Sequence, residues 1–292
     1  MAETRTFAAS WTAAAPFVFV VLWSTGFIGS KLGIPYAEPV TLLVVRFAAV
    51  IAIFAAVVIA TRAPWPERHL WVHVAIVGVA LHGFYLGGVF VSIAWGLPAG
   101  VSALIVGVQP LLTATVVGPL LGERVSMRQW IGLWLGLAGV IAVLWEKLAF
   151  EGIPLVAVWP SVAALGGIAF GTLYQKRRCP NVDLRTGAVI QYVAATAFLL
   201  PFALTFETMA IRWTAEFVVA MGWLVVVLSV GAVSLLMVLV RQGAAAKVAS
   251  FFYLVPPCTA VAAWLLFGET LGLLAFAGMA VAAVGVALVQ RG

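Results

Sequence analysis

The chain has 292 residues, 64% of them hydrophobic and only 9% charged, with a formal net charge of +6 and a mean hydropathy of +1.16. A water-soluble domain carries about a quarter of its residues as charges, so this composition excludes a soluble enzyme and points to a chain dissolved in lipid. The basic balance does not mark a nucleic-acid binder, because the Lys and Arg residues are scattered through short connecting segments and form no basic domain.

Apolar runs of about 20 residues recur, each long enough to cross ~30 Å of hydrocarbon as a helix. Ten spans are predicted, over 13–33, 40–60, 69–91, 97–118, 128–145, 153–174, 186–206, 215–239, 244–266 and 271–290. The short alternating segments of a membrane barrel are absent. The opening run, Ala13 to Ile28, is followed by nine more, so it is read as a span and not as a removable signal.

The first span holds Trp23 on one face with Phe27 and Ser30. In the second, Arg46 lies about six residues from the end, roughly 9 Å at 1.5 Å per residue. Its side chain is expected to snorkel to the interface, or else to gate, or to pair with Glu38 or a substrate carboxylate. The third span carries His82, Tyr85 and Ser92 on one face, with His82 the titratable group nearest the middle of a span. Such a stripe must face protein or a watery cavity; His82 is either interhelical glue or cavity lining. The fourth has Ser102, Gln109 and Thr113 on one side, with Gln109 just before Pro110, whose ring removes a backbone hydrogen bond and frees a carbonyl. Ser126-x-x-Gln129 reads as a capping box opening the fifth span.

In the sixth span Phe170 is expected to stack over Tyr174, one turn away. The ninth breaks at Tyr253-Leu254-Val255-Pro256-Pro257. For Trp23, Phe170, Tyr174 and Tyr253, core packing and ligand contact both remain open. Trp65, Trp71, Trp130, Trp145, Trp159 and Trp213 fall at or near span ends, where an interfacial belt accounts for them. Four Gly-x3-Gly pairs, beginning at Gly29, Gly83, Gly132 and Gly268, allow close helix approach in a monomer or a dimer. A monomer is the expectation.

Displaced by 146 residues, Pro110–Val140 aligns without a gap on Pro256–Val286. Pro110 meets Pro256, Thr113 meets Thr259, Gly122-Glu123 meets Gly268-Glu269, Gly132 meets Gly278, and Gly139-Val140 meets Gly285-Val286. Apolar matches are cheap in such a chain; aligned Pro, Gly-Glu and Gly are not. With five spans per repeat the second copy enters the membrane upside down, which is the build of carriers with a midplane site between inverted halves. The halves are predicted at 1–148 and 149–292, hinged at Glu146–Glu151. Kinks at matching places, Pro110 in one half and Pro256 and Pro257 in the other, mark the expected site.

Orientation follows from the cations. With the N-terminus inside, the inner segments hold twelve Lys or Arg residues: Arg5, Arg62, Arg68, Arg124, Arg128, Lys176, Arg177, Arg178, Arg185, Arg241, Lys247 and Arg291. The outer segments hold three, Lys31, Lys147 and Arg212. Both termini are therefore expected in the cytoplasm. All ten Asp and Glu residues lie in loops or near span ends, so the usual intramembrane carboxylate of a coupled carrier is absent. Proton coupling would have to run through His82. Neither an acid pair, nor a nucleophile beside a base, nor a metal-binding cluster is present to support an intramembrane enzyme. Cys179 and Cys258 have no partner spacing for a disulfide or a metal. No metal or cofactor is expected.

These features resemble the drug/metabolite transporter superfamily, and within it the EamA-type ten-helix exporters. Trp23-Ser24-Thr25-Gly26-Phe27-Ile28-Gly29-Ser30-Lys31 resembles the family's opening Trp-x3-Phe-x3-Lys helix, and Arg46-Phe47 its second-helix Arg-Phe. The two Pro…Gly-Glu stretches are similar to those closing its fourth and ninth helices. The resemblance implies a cavity lined by helices one, three, four, six, eight and nine, and amino acids or related metabolites as substrates. The chain looks closest to bacterial aromatic-amino-acid exporters of the inner membrane. It has Gln109 where those tend to have an aromatic, and Phe170 where they tend to have Trp, which points to a broader range of neutral amino acids.

The expectation is export of neutral amino acids, large apolar ones included, by facilitated alternating access. The substrate would contact Trp23, His82, Tyr85, Gln109, Phe170, Tyr174 and Tyr253. Proton-coupled drug or metabolite efflux is the alternative; an intramembrane enzyme or lipid-handling protein and a membrane scaffold are remoter ones. A phosphorylated substrate would need more than one cation within the spans, since an unpaired buried dianion is prohibitive. The cationic-drug exporters of the superfamily rely on a first-helix Glu, which this chain lacks.

Overall fold

The computed structural model describes residues 2–145, 154–268 and 270–292, side chains excepted at 2–13, 27, 28, 30, 31 and 267. The expected hinge Glu146–Glu151 and Glu269 of the repeat lie outside the described residues, as do the side chains of Phe27, Ser30 and Lys31. Among the described residues nine helices are long and apolar enough to cross a membrane: α2 Pro39–Thr61, α3 Arg68–Ala94, α4 Ala99–Leu121, α5 Met127–Leu144, α6 Leu155–Arg178, α7 Leu184–Phe206, α8 Ala215–Gln242, α9 Ala245–Leu266 and α10 Leu273–Arg291. They follow α1, Ala2–Gly33. The helix α1 starts well before the apolar run because nothing between Ala2 and Ala15 breaks a helix; its first proline is Pro16.

Local signals set the ends. Ser126 caps α5 as its spacing predicts: its Oγ accepts from Gln129 N at 3.2 Å, and Gln129 Oε1 accepts from Ser126 N at 2.8 Å. The helices α4 and α9 are both interrupted, at Gly107-Val108 and at Phe251–Leu254. They resume at Gln109 and Val255 with proline in the first turn, where a missing N–H does least harm. Both stop on a left-handed glycine, Gly122 (φ 71°) and Gly268 (φ 65°), a conformation in which a side chain would be strained. The helices α3 and α8 each contain a π-helical stretch, Val79–Gly87 and Leu224–Ala232. The repeat is thus carried by irregularities, 146 residues apart in one helix pair and 145 in the other.

Packing makes the inversion explicit. The most extensive helix contact in the molecule is α5 on α10. A Cβ on Gly132 would sit 2.6 Å from Gly285 O, and one on Gly278 2.7 Å from Gly139 O. Gly132 faces Gly285 while Gly139 faces Gly278, so the helices run antiparallel. Exchanging each glycine for its repeat partner turns one contact into the other, as a two-fold axis between inverted halves requires. The other pairs obey the same exchange: α2 packs on its counterpart α7, and α3 on α6 is matched by α8 on α1. The chain is an all-helical polytopic membrane protein of two inverted five-helix repeats.

Carboxylates at the helix ends tie the halves together. At the end holding Tyr36, Glu207 accepts from the N–H groups of Val40 (2.9 Å) and Thr41 (2.6 Å), capping α2 from across the bundle. At the opposite end, rich in Lys and Arg, Glu123 accepts from Ala245 N (2.9 Å) at the start of α9 and pairs with Lys176 (2.5 Å). Each places negative charge where a helix dipole is positive.

The α5–α10 crossing yields a signed prediction. Gly278→Ala forces a methyl against backbone that cannot yield, and should lower the melting temperature of the detergent-purified protein, as overpacking by roughly 1–3 kcal/mol does. Gly166→Ala, whose Cβ meets nothing within 4 Å, should leave it unchanged or raise it slightly.

Candidate functional site

A cleft of about 790 Å³, part of it open to the outside, lies between the halves, and its walls include Trp23, Arg46, His82, Tyr85, Phe90 and Ile168. A second compartment of about 500 Å³ shares Trp23, Tyr85, Val89 and Ile168 with it and extends past Ser102, Gln109, Phe252 and Pro256. The rings of Trp23 and Tyr85 stack where the two meet, 6.3 Å apart and 15° from parallel. Phe252 meets Trp23 edge-on at 5.3 Å. The lining comes from α1, α2, α3, α4, α6, α8 and α9, six of them implied by the family resemblance and α2 an addition through Arg46.

Arg46 is the charged group of this lining. It is 3% exposed, so it does not snorkel, which corrects that expectation. Its Nε donates to Ser229 Oγ at 2.9 Å. It does not pair with Glu38, whose carboxylate instead accepts from Thr208 N at 2.7 Å and Thr208 Oγ1 at 2.6 Å. Among the described residues no carboxylate lies within 4 Å of the guanidinium. The reason is local: the first turn of α2 carries Thr41 and aliphatic residues, and Ser229 projects at Arg46 from the π-helical stretch of α8.

His82 is 2% exposed and lies flat on Tyr192, centroids 4.1 Å apart and planes 13° from parallel, with Phe47 edge-on at 5.8 Å. Its Nε2 has no hydrogen-bond partner. It therefore lines the cleft and braces α3 against α7 together. Gln109 donates to Thr113 Oγ1 at 3.0 Å, and its Oε1 is buried without a partner on the wall of the second compartment. Pro110 is buried just beyond that wall, Pro256 is in it, and Pro257 is buried behind it.

Three expected lining residues lie elsewhere. Phe170 is 49% exposed on the outer surface of α6. Ile168, two residues and about 200° earlier on the helix, takes the cleft position. Phe170 does meet Tyr174, with centroids 5.0 Å apart, but the rings are tilted by 32° and not stacked, and Tyr174 OH is bonded to His73 Nδ1 at 2.7 Å, outside both compartments. Tyr253 is fully buried against α5, where its ring packs on Gly136. Its neighbour Phe252 is the ninth-helix aromatic that lines the site.

Ile168, Phe252, Tyr192 and Ser229 escaped the sequence reading. Ile168 is the counterpart of Trp23 at an offset of 145, and both line both compartments; extending the repeat to α1 and α6 in that register would have found it. Tyr192 and Ser229 are polar groups in the middle of spans, which was signal enough.

The model of the EamA-like transporter family matches residues 10–145 and 157–291. The chain belongs to this family of membrane transporters. The uncharacterized inner membrane transporter YedA of Escherichia coli (strain K12) is 25% identical over 95% of this chain and 90% of its own length. The probable terminal-alkyne amino-acid exporter of Streptantibioticus cattleyicolor is 30% identical over 69% of this chain and 68% of its own. A solved crystal structure, 19% identical, superimposes with a TM-score of 0.79 over 95% of this chain and 96% of that one, and so shares its fold.

The lining gives a paired prediction. Phe252→Ala removes an aromatic wall and should weaken uptake of the transported solute into proteoliposomes at least tenfold. Phe170→Ala, facing lipid, should alter it less than twofold.

Proposed function

We propose that this transporter exports neutral amino acids, large apolar ones included, and related metabolites across the bacterial inner membrane. The observation that carries the reading is the combination in one cleft of apolar and aromatic walls with a buried guanidinium that no carboxylate among the described residues answers. A carboxylate is the natural complement of such a group, and aromatic and aliphatic walls accept an apolar side chain. The stacked Trp23–Tyr85 pair offers the solute's ammonium a π-face. The amino-acid exporter among the relatives supports the same class.

Phe170, Tyr174 and Tyr253 drop out of this site; Trp23, Arg46, His82, Tyr85, Gln109 and Phe252 compose it. The halves, divided near residue 148, rock about it as inverted repeats do, in a monomer. The excess of Lys and Arg at one end of the bundle supports assigning that end, with both termini, to the cytoplasm. No carboxylate lines the site among the described residues, which supports the reading of facilitated movement down the solute gradient.

Purified wild-type protein in liposomes should exchange labelled leucine and phenylalanine, while leucinamide, which lacks the carboxylate, competes at least tenfold more weakly. Arg46→Gln should remove that preference; its retention would overturn the role of Arg46. A proton gradient imposed alone should drive no accumulation. Accumulation that disappears in His82→Ala would establish proton coupling instead. For topology, cysteines placed at Arg178 and Glu151 should react from opposite sides of the membrane, and labelling from one side would refute the arrangement.

A further inference from the structure

A third cleft, of about 340 Å³, opens at the Lys- and Arg-rich end between α6, α7 and α8, and its polar lining is Gln175, Gln191, Tyr192, Ser229, Ser234 and Arg241. Arg241 donates from Nη2 to Val182 O, but its Nε is buried without a partner. The neighbouring carboxylate, Asp183, is already taken by Arg185, at 2.7 Å to Nη2 and 3.0 Å to Nε. Among the described residues no carboxylate lies within 4 Å of Arg241. The cleft thus holds a second partly buried guanidinium with unused donor capacity.

Its relation to Arg46 follows from α8. Ser229, Val233, Met237 and Arg241 recur every four residues and form one stripe of that helix. Ser229 binds Arg46 at one end of the stripe, and Arg241 closes the other, ~18 Å away at 1.5 Å per residue. Val233 and Met237, between them, line both the central cleft and the third one. Tyr192, bonded to Ser229 O at 3.4 Å, stands at the partition.

We infer that Arg241 is a second carboxylate-binding site, a cytoplasmic station from which the solute passes along this stripe of α8 to Arg46. This rests on the reading of the substrate as an amino acid. The carboxylate is released at one guanidinium and received at the other, and Val233 and Met237, which line both clefts, offer the side chain an apolar path between them. Such a station shortens the stretch over which the charge travels uncompensated through a medium that disfavours it. The two posts are far enough apart to be filled together.

The test is equilibrium binding of labelled leucine to the detergent-purified full-length protein. Wild type should show two sites per chain, the tighter lost in Arg46→Gln and the weaker lost in Arg241→Gln with the tighter unaltered; leucinamide should displace leucine from each at least tenfold more weakly than leucine itself. Because a passive carrier obeys the same Vmax/KM in both directions, Arg241→Gln should lower that ratio about fivefold at both faces. Arg241→Lys keeps the charge and should restore most of it, which a loss of folding would not permit. One site in wild type, unchanged by Arg241→Gln, would overturn the station and leave the proposed substrate standing. No leucine site at all in wild type would instead remove the functional reading.

Discussion

Arg46 carries its charge in a wall of aliphatic and aromatic side chains, and a guanidinium does not shed its proton in a protein. At the depth of a membrane span such a group is unfavourable by about 3 kcal/mol on insertion scales, and by much more where water cannot follow it. A single serine hydroxyl compensates little of that. The remaining compensation comes from water in an open cleft or from an anion that visits. A lining with this charge and, among the described residues, no acid to pair with it is the ground for the proposal that an acid is received there. The aromatic walls, the broken helices around them and the partition at Tyr192 surround this charge.

The irregular backbone serves the same end. Lipid cannot satisfy a free N–H or carbonyl, so departures from the α-helix are tolerated where they face protein or a cavity. In this chain they occur in matched pairs, the breaks of α4 and α9 and the π-helical stretches of α3 and α8, and all four helices line the central space. The π-helical stretches swing Ser229 and His82 towards α2 and α7. The breaks end one helical segment at the cavity wall and begin another with proline. By contrast α5 and α10, outside the lining, are regular helices locked together by glycine. A rigid pair at the periphery and adaptable helices at the centre is what rocking about a fixed site requires.

Much of the fold was legible because lipid imposes a length. The predicted spans from the second to the tenth end within four residues of the observed helices, and the capping box at Ser126 is present atom for atom. The repeat was legible through Pro110, Gly122, Gly132 and Gly139, residues whose backbone demands are the same in both copies. What could not be read was the rotational phase of each helix. In water an amphipathic helix declares its buried face; in lipid both faces are apolar, and packing sites favour small residues without a strong hydrophobic signature. Phe170 and Ile168 are therefore equivalent in sequence and opposite in space. Tyr253 and Phe252 differ by one residue at a break that resets the phase. Arg46 was assigned outwards because an isolated helix would send it there, whereas the partner that holds it, Ser229, is 183 residues away.

An experimental structure of the protein with bound leucine tests the central claim most directly. The account predicts the ligand in the cleft between Trp23, Tyr85 and Phe252, with its carboxylate within hydrogen-bonding distance of the Arg46 guanidinium and its side chain against the aromatic wall. Leucine bound with its carboxylate away from Arg46, or an Arg46 found paired with an acid of the protein itself, would contradict it.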